Sequence, residues 1–155
     1  MPGRLQAEIK QTKPFLHPTA EALLGILRTA AVLEHNLGEG LKPYGITTTQ
    51  YNVLRILRGA GQNGMCGREV AERLVSRVPD VSRLLDRTEE LGLIHRERDP
   101  EDRRHVTARI TEKGLAVLEQ ATPELEALVR RRFGRLDPEG LQRLIAALED
   151  VRSGA

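Results

Sequence analysis

RVPDVSRLLDRTEELGLI, Arg77 to Ile94, is the stretch on which the fold turns. Val81, Leu84, Leu85, Thr88 and Leu91 recur at intervals of three, one, three and three. That spacing predicts an amphipathic helix with one inward stripe. Pro79 suits its first turn and Gly92 its end. With the stripe inward, the outer face carries Pro79, Asp80, Ser82, Arg83, Asp86, Arg87 and Glu90.

Before this helix, residues 67–74 predict a short one, with Val70, Ala71 and Leu74 inward, and Val75-Ser76-Arg77 reads as a tight turn. After it, two apolar-alternating runs, Leu93 to Arg98 and Val106 to Ile110, predict strands. The tip between them, DPEDRRHVT from Asp99 to Thr107, holds five charges and a His in nine residues. Short helix, turn and second helix are the order of a helix-turn-helix, whose second helix enters a major groove. The hairpin makes it winged. B-DNA's major groove, roughly 12 Å wide, admits one α-helix.

On that placement Arg83 can donate a bidentate pair to guanine, and Ser82 can bond a base or a phosphate. Asp80 can accept from a cytosine amine while repelling phosphate, which makes it a specificity residue. Arg87, a turn later, suits a phosphate. Arg68, Arg73 and Arg77, on the short helix and turn, are expected at the backbone. Against this, an exposed Arg on a helix is commonly just solvated. Between 66 and 109 ten Arg (68, 73, 77, 83, 87, 96, 98, 103, 104, 109) face ten acids (69, 72, 80, 86, 89, 90, 97, 99, 101, 102). The segment is formally neutral, so charge alone does not argue for DNA.

The flanks are helical. A polar arm is expected over 1–16, then a helix opening at His17-Pro18-Thr19 and ending before Pro43 and Gly45. Thr47 or Thr48 caps a second helix with Tyr51, Leu54 and Leu57 on its face, and 59–64 reads as a Gly-rich loop. Thr111 caps a long helix over about 112–132, in which Pro123 predicts a kink or break. Asp137-Pro138 caps a last helix with Leu141, Leu144, Ile145, Leu148 and Val151 on one face.

Hydrophobic residues make up 39% of the 155 and aromatics only 3%, which predicts one globular domain with an aliphatic core. The net charge is +2. No apolar run approaches the roughly 18 residues of a membrane span, and the first residues carry no signal-like segment. Cys66 is the only cysteine, so no internal disulfide forms. These features point to the cytoplasm.

The four histidines (17, 35, 95, 105) and Cys66 lack metal-ligand spacing, and 59–64 lacks the Lys-Ser/Thr of a phosphate loop. No enzyme, metal or cofactor is expected. Residues 66–110 contain no aromatic for stacking single-stranded bases. A winged helix that binds protein instead of DNA stays open.

From about residue 20 to 150 the chain resembles the multiple-antibiotic-resistance-regulator (MarR) family of winged-helix repressors. The resemblance is carried by Arg77 to Arg87, Leu91-Gly92-Leu93-Ile94, Asp99-Pro100-Glu101-Asp102-Arg103-Arg104 and Ile110-Thr111-Glu112-Lys113-Gly114, in that order and spacing. It implies a mainly α fold with a small β-hairpin wing, one domain over 1–155. Residues 46–110 would form the DNA-binding lobe, and 17–42 and 111–151 the dimerisation helices. It implies a homodimer with recognition helices about 34 Å apart on a palindromic operator of double-stranded DNA.

In the family the charged tip is the wing. Arg104 is then expected in a minor groove, Asp102 holding its guanidinium, and Arg103 on phosphate. Many relatives release DNA on binding small aromatic or phenolic effectors, for which Arg28, His35, Tyr44 and Tyr51 are candidates. Core packing is the plainer role for each Tyr. Some relatives sense oxidants through a cysteine. Cys66 stands at a helix start but has no second cysteine, and a plain cap is the competing reading.

Overall fold

The computed structural model describes residues 3–154. The chain divides into two compact units, one up to Glu39 and one from Gly40 onward.

In the first unit α1 (Arg4–Glu8) precedes α2 (Pro18–Leu41), whose start at Pro18 matches the sequence expectation. Helix α1 corrects the polar-arm expectation, whose first two residues lie outside the described ones. Gln6 is buried and its amide donates to the Gln11 carbonyl at 3.2 Å. Leu5 packs over Gly25 of α2.

The second unit opens with a 3-10 turn, Lys42–Tyr44, closed by Gly45 at φ +69°. Thr47 then builds a capping box. Its hydroxyl accepts the Gln50 N–H at 3.1 Å, and the Gln50 side chain accepts the Thr47 N–H at 3.0 Å. Helix α3 (Thr48–Ala60) buries Val53, Leu54 and Leu57. Gly59 and Ala60 belong to it, so the expected loop is shorter and holds a 3-10 turn, Gly61–Asn63.

β1 (Met65–Cys66), α4 (Gly67–Arg73), α5 (Val81–Glu90), β2 (Ile94–Arg98) and β3 (Val106–Ile110) follow. The sheet is antiparallel with order β1-β3-β2, and Ile94 opposes Ile110 while Arg98 opposes Val106. β1 was not expected, since two residues are too short to show a period.

The core is aliphatic, as composition predicts: Val53, Leu54, Leu57, Val70, Leu85, Ile94, Ala108 and Leu118 are all buried. Thr88 is buried on the α5 stripe because its hydroxyl donates to the Leu84 carbonyl at 2.7 Å. Leu91 departs from its expected inward place and is exposed, because α5 has ended and the chain reverses at Gly92. Ala71 is exposed too. Val70 and Leu74 are one helical turn apart and set the inner edge of α4, and Ala71 falls outside it.

Helix α6 (Glu112–Phe133) runs through Pro123 without the expected break. Leu118, Ala121 and Leu125 are buried on both sides of the proline and hold the helix across the missing amide. Its start is latched to the end of α5. The Thr111 hydroxyl donates to the Gly92 carbonyl at 2.7 Å and accepts the Gly114 N–H. Lys113 Nζ donates to the Leu91 carbonyl at 2.8 Å. A Cβ on Gly114 would overlap the Leu93 carbonyl and reach Ile110 Cγ1 at 2.7 Å, so only glycine allows this approach. Helix α7 (Pro138–Ser153) begins at Asp137, whose side chain accepts the Gly140 N–H at 2.7 Å.

Candidate nucleic-acid interface

Helix α5 starts two residues later than its proline suggests. Pro79 lies in the turn, and Asp80 is the N-cap, its Oδ1 accepting the Arg83 N–H at 2.9 Å. The carboxylate expected to read cytosine is therefore engaged by the helix end, where the macrodipole also favours a negative charge. The turn is anchored from α3, where Asn52 Oδ1 accepts the Val75 N–H at 2.9 Å. Ser82, Arg83, Asp86, Arg87 and Glu90 are all exposed, as the stripe requires.

Arg96, on β2, ties the wing to α5. Its Nε and Nη2 donate to Glu89 Oε1 at 3.3 and 3.2 Å, Nη2 also meets Asp86 Oδ1, and the backbone N–H donates to Glu89 Oε2. The side chain is only 21% exposed. Desolvation pulls its pKa down, but the Asp86 and Glu89 hydrogen bonds and charges outweigh this and hold it above the ordinary guanidinium value. Arg109, on β3, pairs similarly with Glu97 at 3.2 Å and donates to the Gln62 carbonyl at 2.6 Å.

The wing tip is shaped by carboxylates acting on the backbone. Asp99 Oδ1 accepts the Glu101 N–H at 2.8 Å, and Asp102 Oδ1 accepts the Arg104 N–H at 3.0 Å. Asp102 thus holds the Arg104 main chain, not its guanidinium as expected, which is Asx-turn chemistry. His105 N–H donates to the Asp102 carbonyl at 2.8 Å and closes the tip.

On α4, Arg68 pairs with Glu72 at 3.2 Å and Arg73 donates to the Glu69 carbonyl at 3.0 Å. Cys66 serves as the α4 cap. Its sulfur receives the Glu69 N–H, while the Glu69 carboxylate accepts the Cys66 N–H at 3.0 Å. The Cys66 backbone N–H and then its side chain hold the Glu69 carboxyl below the ordinary value, assisted by Arg73 and His105.

These contacts sort the charged side chains into partnered and unpartnered groups. Asp86, Glu89, Glu97, Glu72, Glu69, Asp80, Asp99 and Asp102 are engaged in ion pairs, caps or the tip turn. Among the described residues the side chains of Arg77, Arg83, Arg87, Arg98, Arg103 and Arg104 have no internal partner, and all six are exposed. Guanidinium groups without an internal partner therefore run from the turn, along α5, to the wing, in a segment whose formal charge stays balanced.

Of the effector candidates, two come together. The Tyr44 hydroxyl donates to the Gln120 carbonyl at 3.2 Å and Tyr51 Oη shares a hydrogen bond with Thr122 Oγ1 at 3.0 Å, so both hold one turn of α6 beside Pro123. Desolvation, and then Glu124, raises the Tyr44 pKa. Arg28 and His35 lie on α2, in the other unit.

A family model for MarR matches residues 44–105, from the start of the second unit to the wing tip. The HTH-type transcriptional regulator YkoM of Bacillus subtilis is 30% identical over 119 residues, 77% of this chain and 75% of that protein. The chain belongs to the MarR family. Among solved structures of MarR regulators, AbsC from Streptomyces coelicolor is 31% identical, with a TM-score of 0.75 over 92% of this chain and 97% of that one. MepR of S. aureus, solved in complex with DNA, shares the fold at 24% identity and a TM-score of 0.76, over 84% of this chain and 95% of that one. The relatives are transcriptional regulators and not enzymes. The resemblance read from 77–114 is the family's. Among the described residues no helix is long and apolar enough to cross a membrane.

Two positioning residues escaped the sequence reading. Asn52 carried no signal. Arg96 did, as a basic residue sharing a strand face with Ile94, with acids a turn apart on the preceding helix.

Proposed function

We propose that this MarR-family regulator is a cytoplasmic, homodimeric repressor that binds a palindromic DNA site and leaves it when a small aromatic or phenolic effector binds. The observation that carries the DNA reading is the run of exposed arginines without an internal partner among the described residues (Arg77, Arg83, Arg87, Arg98, Arg103 and Arg104) on turn, recognition helix and wing, where many of the neighbouring acids are tied into ion pairs, a helix cap or the tip turn. Arg83 and Ser82 read bases in the major groove. Arg68, Arg73, Arg77, Arg87 and Arg103 hold phosphates, and Arg104 enters the minor groove on the turn that Asp102 shapes. Asp80 and Pro79 set where α5 begins, and so where Arg83 points.

Dimerisation is supported by apolar faces that a single chain leaves open. Leu23 and Leu27 of α2 are each 57% exposed, and Ile145 and Val151 of α7 are 47% and 65% exposed. An effector is supported by Tyr44 and Tyr51, whose hydroxyls tie α6 to the DNA-binding unit. Arg28 and His35 of α2 are the other candidate effector residues.

The test is a pair of substitutions, measured on a duplex that the wild-type protein selects from a random pool. Arg83→Ala is expected to lose about 1–3 kcal/mol of discrimination at one base pair. Arg103→Ala is expected to weaken all duplexes alike and flatten the salt dependence. An Arg83→Ala protein that binds every sequence as before would overturn the register of α5.

A further inference from the structure

The wing has two sheet faces, and the pairing register assigns their residues. Ile94, Arg96 and Arg98 of β2 lie on one face with Val106, Ala108 and Ile110 of β3. Ile94 and Ala108 are buried, and Arg96 reaches Asp86 and Glu89 of α5, so this is the face turned toward the recognition helix. Arg98 is the next residue outward on it. It is exposed, and among the described residues its side chain has no partner.

Asp86 and Glu89, the α5 carboxylates that meet the wing, are already engaged by Arg96, so neither holds Arg98. Glu97, its neighbour in sequence, points to the opposite face and pairs with Arg109. The sheet face that packs on α5 thus ends, next to the wing tip, in a guanidinium without an internal partner.

A helix in the major groove and a wing in the adjacent minor groove straddle one sugar–phosphate strand. On the DNA-binding reading that strand runs beside the outer end of the face on which β2 meets α5. We propose that Arg98 binds a phosphate of this strand, as a sequence-independent contact that sets the spacing between the recognition helix and the wing tip. Arg96 acts beside it as a positioning residue, which pairs with the two acids and so weakens the repulsion they exert on the same phosphate. The inference rests on the DNA-binding reading above.

The experiment measures binding of wild-type, Arg98→Ala and Arg98→Lys protein across a salt series. Two duplexes are used, one selected by the wild-type protein from a random pool and one unrelated. Wild-type protein is expected to bind with a steep salt dependence. Arg98→Ala is expected to weaken both duplexes by the same factor and to lower the log–log salt slope by about 0.9 per protomer engaged. Arg98→Lys is expected to restore the slope, because a point charge suffices for a phosphate.

A wild-type slope and affinity retained in Arg98→Ala would overturn the contact and leave the DNA-binding reading standing. Weakening of the selected duplex alone would make Arg98 a base reader and overturn the phosphate assignment. A wild-type protein with no salt-dependent affinity for either duplex would remove both readings together.

Discussion

Asp80, Asp99 and Asp102 each hold a backbone amide of the segment that would meet DNA. A carboxylate there repels phosphate, so its presence needs a reason, and the amide supplies one. Glu69 works the same way at the start of α4 and carries a pH signature. Its carboxyl titrates below the ordinary value because the Cys66 N–H, and then the Cys66 side chain, favour the ionised form. A depressed carboxyl contributes stability that is fully present above the unfolded value and is lost as pH falls through the folded one. Glu69→Gln keeps an acceptor but not the charge. Its melting temperature is expected to sit below wild type by a constant gap down to about pH 5, with the gap closing as the pH drops further. A gap that persists unchanged in strong acid would contradict the assignment.

Elements with a full period were legible from sequence. The α5 stripe, the β2–β3 pair and the face of α7 all follow from spacing, and so did the exposure of Ser82, Arg83 and Arg87. Two-residue β1 and five-residue α1 are too short to carry a period. Pro123 does not break α6, because local propensity yields to the buried Leu118, Ala121 and Leu125 around it. The pairing of charges was illegible for a different reason. Ten basic and ten acidic side chains can pair in many ways, and only the packing of β2 on α5 brings Arg96 to Asp86 and Glu89. Replacing Arg96 leaves those two acids unpaired between helix and wing. Arg96→Met is expected to cost about 1–2 kcal/mol, since the bonds are charge-assisted but Asp86 is half-exposed. DNA affinity is expected to fall as well. Urea unfolding and duplex binding measured on the same preparation check this. Wild-type values for both would mean that the clamp positions nothing.

At the scale of the whole molecule the sequence showed a small positive charge, +2, that said little about DNA. The fold adds to it a line of exposed arginines without internal partners among the described residues, on the turn, α5 and the wing. It also leaves apolar area open. Helix α7 has no fully buried residue, although Leu141, Leu144 and Leu148 are partly covered. A second copy of the chain would cover Ile145 and Val151. Ile145→Glu is expected to shift sedimentation equilibrium from dimer toward monomer, and to weaken binding to a palindrome more than to a half-site. A dimer that persists with this glutamate in place would move the interface away from α7.

The most direct test of the account is selection of duplex DNA from a random pool by the wild-type protein, followed by anisotropy binding at two salt concentrations. The account predicts an enriched palindrome bound by two protomers, with affinity falling steeply as salt rises. No enriched sequence and a flat salt response would contradict it, and would mean that the outward arginines of the turn, recognition helix and wing serve a partner other than DNA.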